Sequence, residues 1–150
     1  MPTSPLVPED FAIPAGLSTD TFIIEPLGER HNVADHAAWT SSIEHIRATP
    51  GFPDHTWPRP MSLAENAADL ARHARDFAGR TGFAYTVLDP VTRDVIGCVY
   101  FYPPVRDGYD VDVRSWVRAD RAELDKPLYD VIRRWLAESW PFQRPDYAEH

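Results

Sequence analysis

The feature that most constrains this chain is a pair of β-rich segments separated by a short turn segment. Residues 83–88 (FAYTVL) and 95–102 (VIGCVYFY) are rich in β-branched and aromatic residues. The six residues between them, DPVTRD, are typical of a turn. Two such segments at this separation predict an antiparallel β-hairpin, which requires a sheet as the central layer of the fold.

A third strand is predicted directly after the hairpin. Pro103 and Pro104 end the second strand, and Gly108 precedes the third. Beyond it, Val111 and Val113 alternate with polar neighbours. This alternation predicts one buried face and one face that carries Asp110, Asp112 and Arg114.

Three segments have helical periodicity. The first is 32–47, with Asn32 as a candidate cap. The second begins at a capping box formed by Ser62 and Glu65 and ends at Gly79. In the third, Asp125 is predicted to be the N-cap of a helix whose apolar face is Leu128, Val131, Ile132, Trp135 and Leu136.

Short strands are predicted at both ends, at 21–25 and within 140–147. The order is therefore β-α-α-β-β-β-α-β, which predicts an α/β fold with a mixed sheet and an antiparallel meander. A length of 150 residues indicates one domain, placed at 21–150. Residues 1–20 contain four prolines and are predicted to be a surface tail.

Composition excludes several classes of function. The net charge of −8 disfavours a nucleic-acid partner, because the surface would repel phosphates unless the arginines cluster. The single cysteine, Cys98, excludes an internal disulfide and is predicted to be a buried core residue. With neither a secretory signal nor a membrane-length apolar segment, the expected location is the cytoplasm, with no membrane partner.

The aromatic residues have two interpretations. The proline-rich loop 50–61 contains Phe52 and Trp57, which either cover the edge of the core or line a pocket; the covering role is favoured. Most strand aromatics are predicted to be core residues. Alternatively, the strand face that carries Tyr100 and Tyr102 lines a ligand groove.

The histidines do not indicate a metal site. They occur at 31, 36, 45, 55, 73 and 150, without the spacing of a known ligand set, so no metal is expected. Asp69 and His73 are four residues apart on the second helix, which is typical of a surface pair. No nucleophile-elbow motif supports a hydrolase.

The order of elements resembles the first part of the fold of the GNAT-type N-acetyltransferases. Residues 83–89 followed by 95–99 are similar to that family's hairpin, whose second strand contains Val-Ile-Gly. Residues 111–117 followed by 128–136 are similar to its unit of a third meander strand and a helix that binds the CoA pyrophosphate. The resemblance covers residues 21–147 and implies an acetyl-CoA cofactor and an amine of a small molecule or peptide as substrate.

The pyrophosphate loop differs from the family pattern. The family has Gln or Arg, two residues, Gly, one residue, then Gly or Ala, whereas segment 118–127 contains no glycine and includes the acidic Glu123 and Asp125. The family's general-acid tyrosine has no expected counterpart before His150. The residues that the resemblance assigns to acetyl-CoA are Trp116, Val117, Arg118, Arg121 and Lys126. It assigns the general base to Asp110 or Asp112; alternatively, these two residues form a solvated strand face.

Two hypotheses about function stay open. One is an acetyl-CoA-dependent N-acetyltransferase, and the other is a degenerate GNAT-like binding or dimerisation module that does not bind CoA. A homodimer is expected in either case, formed by pairing of sheet edges or by Trp140 and Phe142 packing across an interface.

Overall fold

The computed structural model describes residues 5–53 and 57–150. The strands are β1 (Leu17–Ser18), β2 (Ile23–Pro26), β3 (Phe83–Leu88), β4 (Val95–Tyr102), β5 (Val111–Val117) and β6 (Pro145–Tyr147). The helices are α1 (Asn32–Thr40), α2 (Ile43–Arg47), α3 (Leu63–Ala78) and α4 (Asp125–Ser139). Short 3₁₀ segments span Glu29–His31 and Ala119–Leu124.

The six strands form one sheet in the order β1-β2-β3-β4-β5-β6. All neighbouring strands are antiparallel except β5 and β6, which are parallel. The predicted hairpin is confirmed as β3 and β4, and the third meander strand as β5. Gly97 is needed where β4 meets β5, because a Cβ atom there would overlap the carbonyl oxygen of Trp116.

The sheet is covered by a different layer on each face. Helices α1, α2 and α3 pack on one face, around Trp39, Leu70 and Trp116. Helix α4 packs on the other face, around Phe101, Ile132 and Trp135. The result is a mixed α/β sandwich in which a single sheet serves two hydrophobic cores.

The capping box is confirmed at the start of α3. The backbone N–H of Glu65 donates to Oγ of Ser62, and the backbone N–H of Ser62 donates to Oε1 of Glu65. These two bonds satisfy donors that the first helical turn would leave free. The helix start is therefore fixed by local chemistry, and it places the following turns over the sheet.

Three local predictions are wrong. The helix predicted at 32–47 is interrupted after Thr40 and forms the separate helices α1 and α2. Asp125 is not an N-cap, because the 3₁₀ segment runs into α4 and Leu124 holds the cap position. Strand β1 was not predicted.

The described part of the N-terminal segment, residues 5–20, packs against the sheet. Val7 is 4% exposed and belongs to the core under α4. The hydroxyl of Tyr85 donates to the carbonyl oxygen of Pro14 at 2.7 Å. Whether a domain boundary lies at residue 21 stays a prediction. No helix within 5–53 and 57–150 combines the length and apolar character needed to cross a bilayer.

Candidate functional site

A cavity of about 420 Å³ opens on the sheet face that carries the three N-terminal helices. Its floor is built by β4 and β5, its side by α3 and its opposite wall by the loop before α3. The lining residues are Phe52, Trp57, Arg59, Met61, Asp69, Arg72, His73, Tyr100, Tyr102, Pro103, Val105, Asp112 and Arg114. Aromatic walls therefore surround a group of charged and titratable side chains.

The floor follows from the two-residue period of a strand. Tyr100 and Tyr102 project from the same face of β4. In the antiparallel register, Tyr100 lies opposite Arg114 and Tyr102 lies opposite Asp112. The interpretation that this tyrosine face lines a groove agrees with the lining of the cavity.

The proline-rich loop both covers the core and lines the cavity. Phe52 is 3% exposed. The ring of Trp57 lies with its centroid 5.3 Å from Trp39, 6.2 Å from Trp116 and 6.4 Å from Tyr100. The two roles that the sequence presented as alternatives are thus combined in one segment. Its residues 54–56 lie outside the described residues.

His73 is a buried titratable group at the cavity with polar partners on both ring nitrogens. It is 8% exposed, and its Nδ1 lies 2.7 Å from the hydroxyl oxygen of Tyr102. That hydroxyl donates to Oδ2 of Asp76 at 2.9 Å. On the other side of the ring, Nε2 lies 3.7 Å from Oδ2 of Asp69. Asp69 and His73 thus form the predicted pair, but its expected surface location is wrong, since His73 is buried and faces the sheet.

The charges around His73 are arranged by α3 itself. Arg72 bridges Asp69 at 2.7 Å and Asp76 at 3.3 Å. The pKa of the Asp69 carboxyl is lowered to about 2, first by its interaction with His73 and then by Arg72. Burial raises the pKa of the Tyr102 hydroxyl, and its hydrogen bond to Asp76 adds to that effect. Asp69 thus stays ionised beside the imidazole.

A second polar group lies deeper, between α1 and α3. Asp35 is 3% exposed and accepts a hydrogen bond from Nδ2 of Asn66 at 3.1 Å. Asn66 in turn accepts from Nε1 of Trp39 at 3.0 Å. Burial raises the pKa of the Asp35 carboxyl. This group holds the two helices together behind the cavity.

The two predicted carboxylates are separated by the fold. Asp112 lines the cavity and pairs with Nε of Arg114 at 2.9 Å. Asp110 lies just before β5, and its two oxygens accept the backbone N–H groups of Gln143 and Arg144. Asp110 therefore positions the segment before β6, and the structure does not bring it to the cavity beside Asp112.

The residues assigned to acetyl-CoA lie near the end of β5. Trp116 is fully buried behind the cavity, and its Nε1 donates to the Tyr100 hydroxyl at 3.0 Å. Val117 is buried in the core on the other face of the sheet. Arg118 lines a second cavity, of about 330 Å³, beside α1. The side chains of Trp116, Val117 and Arg118 therefore face different surroundings.

Each of the three predicted cations already has a carboxylate partner. The pairs are Arg118–Asp120 at 2.9 Å, Arg121–Asp89 at 3.1 Å and Lys126–Asp130 at 3.3 Å. In addition, the backbone N–H of Ala119 donates to Oγ of Ser42 at 2.8 Å. The segment between β5 and α4 is thus cross-linked to its surroundings.

At the start of α4, Asp125 is hydrogen-bonded to His150. Nδ1 of His150 lies 2.8 Å from Oδ2 of Asp125, and the His150 side chain is fully buried. Its ring stacks on Tyr129 and meets Tyr147 edge to face. The Tyr147 hydroxyl in turn shares a short hydrogen bond with Ser115. Sequence reasoning missed this cluster, because its members are far apart in the chain.

Metal chemistry receives no support from the part of the chain that the structure describes. Within those residues, no three His, Cys, Asp or Glu side chains are grouped to hold a metal ion. Cys98 is fully buried, and burial raises the pKa of its thiol. It does not line the cavity.

Comparison of the fold with solved structures identifies acetyltransferases. A ribosomal-protein-S5-alanine acetyltransferase from Vibrio fischeri is 11% identical, with a TM-score of 0.67 over 88% of this chain and 72% of that one. The Microcin C7 self-immunity acetyltransferase MccE, in complex with acetyl-CoA and AMP, is 10% identical, with a TM-score of 0.65 over 84% and 67%. RimL, a ribosomal L7/L12 α-N-protein acetyltransferase in complex with coenzyme A, is 13% identical, with a TM-score of 0.55 over 82% and 66%.

No family model and no curated protein matches the sequence. The likeness in structure confirms the GNAT-like fold, and at these identities it shows the fold alone.

Proposed function

We propose that this GNAT-like domain is an N-acetyltransferase that moves an acetyl group from acetyl-CoA to an amine held in the 420 Å³ cavity. The observation that carries the proposal is the cavity itself, in which His73, Asp69 and Asp112 face a space walled by aromatic rings. Support also comes from the solved neighbours, which are acetyltransferases and include complexes with acetyl-CoA and coenzyme A.

The cavity suits an amine joined to a flat or apolar group. The rings of Trp57 and Tyr100 offer apolar walls, while Asp69 and Asp112 attract a positively charged ammonium. The acceptor is accordingly a small-molecule amine or the amino group of a peptide. A cavity of this volume lies within the range of ligand sites in proteins.

In the segment before α4, we expect side chains to bind the phosphates of CoA in place of a glycine-rich loop. No glycine follows Gly108, and the N–H of Ala119 is already bonded to Ser42. Arg118, Arg121 and Lys126 nevertheless remain in ion pairs near the surface. Such pairs are worth about 0–1 kcal/mol, so a multiply charged phosphate competes with their carboxylate partners.

These cations would hold the phosphates, and the backbone of Trp116 and Val117 would lie against the rest of the cofactor. When bound, acetyl-CoA supplies an activated thioester carbonyl for attack by the amine. Asp112 assists at the cavity by holding the ammonium group beside Arg114. Asp110, the other carboxylate proposed from the sequence, acts from outside the cavity, through the backbone before β6.

A second candidate function is a binding module that performs no transfer. The observation that favours it is the Asp125–His150 pair, which places a carboxylate in the first turn of α4, where an anion would otherwise be attracted. Such a module would keep the cavity and its amine ligand but would not bind CoA.

A thermal-shift titration with CoA and acetyl-CoA separates the two candidates. A ligand at about 100 times its dissociation constant adds roughly 2.7 kcal/mol to the free energy of unfolding. For a domain of this size that corresponds to a rise in melting temperature on the order of 6–10 °C. We expect that shift for the wild type and its loss in the double variant Arg118→Ala/Arg121→Ala. Arg134→Ala, an exposed arginine of α4, is the matched control.

Transfer is then measured by mass spectrometry with a panel of small amines and peptide amino termini. No melting shift at saturating CoA, together with no acetylated product, would reject the transferase and favour the binding module. A shift without product on any amine would show a CoA-binding protein of another activity.

A further inference from the structure

We infer that His73 is the base that takes the proton from the acceptor ammonium, with Tyr102 and Asp76 fixing the imidazole and Asp69 stabilising its charged form. The inference rests on the proposed function, because it assigns the proton-transfer step of that reaction. It differs from the expectation drawn from the sequence, which gave this step to Asp110 or Asp112 on the strand.

The hydrogen-bond chain determines which ring nitrogen carries the proton. A carboxylate can only accept, so the single hydroxyl proton of Tyr102 goes to Asp76, at 2.9 Å. The Tyr102 oxygen must therefore accept from His73, and the neutral imidazole carries its proton on Nδ1, 2.7 Å away. Nε2 is left with a free lone pair.

That lone pair is the proton acceptor. Nε2 faces Asp69, whose carboxylate lies 3.7 Å away and lines the same cavity. The distance is longer than a hydrogen bond to a neutral ring, but it is short enough to attract an imidazolium ion. Besides His73 itself, the Arg72 guanidinium, 2.7 Å from Asp69, lowers the pKa of that carboxyl and keeps it charged where an amine reacts.

Other charged and titratable groups face this site from four elements and one loop. On α3 they are Asp69, Arg72 and Asp76; on β4, Tyr100 and Tyr102; on β5, Asp112 and Arg114; on α1, Asp35; and on the loop before α3, Arg59. Arg72 pairs with both carboxylates of its own helix, and Arg114 pairs with Asp112. The carboxylates of Asp69, Asp76 and Asp112 are therefore each paired with an arginine, whereas Nε2 of His73 keeps the unshared lone pair on which the inference rests.

The proposed step moves a single proton. One proton leaves the acceptor ammonium and binds Nε2 of His73, which yields a neutral amine and an imidazolium paired with Asp69. The amine nitrogen then has the lone pair needed for attack on a carbonyl. The imidazolium returns its proton to solvent at the mouth of the cavity.

The test compares wild type with His73→Gln in the transfer assay across a range of pH. Loss of a general base lowers kcat by about 100-fold or more near neutral pH. The deficit should shrink as pH rises, because the amine then arrives already neutral, while the KM for acetyl-CoA stays unchanged. Arg75→Gln, an exposed position on the same helix, is the matched control and should behave as wild type.

A merely structural role predicts a different result. A His73→Gln deficit that is constant across pH, or a variant as active as wild type, would overturn the inference while leaving the proposed function intact. A wild type that acetylates no amine would overturn both. If His73→Gln does not fold, nitrogen-resolved NMR of the wild-type imidazole decides: the Nδ1–H tautomer is expected, and an Nε2–H tautomer contradicts the assignment.

Discussion

The hydroxyl of Tyr102 on β4 lies 2.7 Å from Nδ1 of His73 on α3, and this contact joins the floor of the cavity to its side. The same hydroxyl donates to Asp76, one turn further along the helix. A single strand residue thus fixes the rotation of a helix and the orientation of its imidazole. Removing the Tyr102 hydroxyl should therefore lower both the free energy of unfolding and the rate of acetyl transfer.

Tyr102→Phe keeps the ring and removes the hydroxyl. We expect a loss of roughly 1 kcal/mol in the free energy of unfolding, since buried partners lose their hydrogen bonds. We also expect about a tenfold lower kcat with an unchanged KM for acetyl-CoA, because His73 stays in place but loses its fixed tautomer. Urea denaturation and steady-state kinetics measure the two effects. An unchanged kcat would show that the hydroxyl does not orient the base.

Gly82→Ala should disturb the same contact from outside the cavity. A Cβ atom at residue 82 would overlap the ring of Tyr102, which would have to move. We expect a destabilisation of about 1–3 kcal/mol, typical of overpacking, and a fall in transfer that parallels Tyr102→Phe. Gly79→Ala is the control, because its Cβ would come no closer than 3.3 Å to the carbonyl oxygen of Arg75. Equal effects of the two variants would contradict this account.

Asp35→Asn should stabilise the protein at neutral pH. Burial raises the pKa of Asp35 above its ordinary value of 3.8, so its ionised form is penalised in the folded state. The free energy of unfolding of the wild type should therefore rise as pH falls through the raised pKa toward 3.8. In Asp35→Asn that rise should disappear, and the stability at neutral pH should increase on the order of 1 kcal/mol.

Urea denaturation at neutral pH and near the ordinary pKa of a carboxyl checks the Asp35 prediction. Asp20→Asn, at an exposed carboxyl, is the control and should leave the pH dependence unchanged. A lower stability of Asp35→Asn at both pH values would instead mean that the bond from Asn66 requires a charged acceptor.

The expected homodimer needs a revised interface. Trp140 cannot pack across it as predicted, because the side chain is 6% exposed and lies 4.7 Å from Phe101 within its own core. The edges of the sheet, β1 and β6, stay as the predicted contacts. Light scattering at high micromolar concentration should give twice the chain mass of 17.1 kDa. A mass of one chain under those conditions would reject the dimer.

Elements with strong local signals were predictable from the sequence. The β3–β4 hairpin follows from two β-rich segments around a turn, and the start of α3 follows from Ser62 and Glu65. The alternation in β5 correctly placed Val111 and Val113 in the core. In each case the information lies within a few residues, so no knowledge of tertiary contacts is required.

The site was less predictable, because distant residues create it. The spacing of Asp69 and His73 fits a surface pair, and only Tyr102, 29 residues away, shows that His73 faces inward. The Asp125–His150 contact spans 25 residues, and it binds the predicted cap residue to a buried histidine. A tyrosine at an inward strand position opposite a helical histidine is the pattern that could have signalled the cavity.

The five tryptophans form two separate groups, and the fluorescence of the group that contains Trp57 can report ligand binding. Trp57 lies between Trp39 and Trp116 on the cavity wall, whereas Trp135 and Trp140 lie 5.5 Å apart across the sheet. Indole emission depends strongly on nearby rings and on water. Because Trp57 lines the cavity, a molecule that binds against it should change the intrinsic fluorescence of the unlabelled protein, and candidate amines can be screened by that signal.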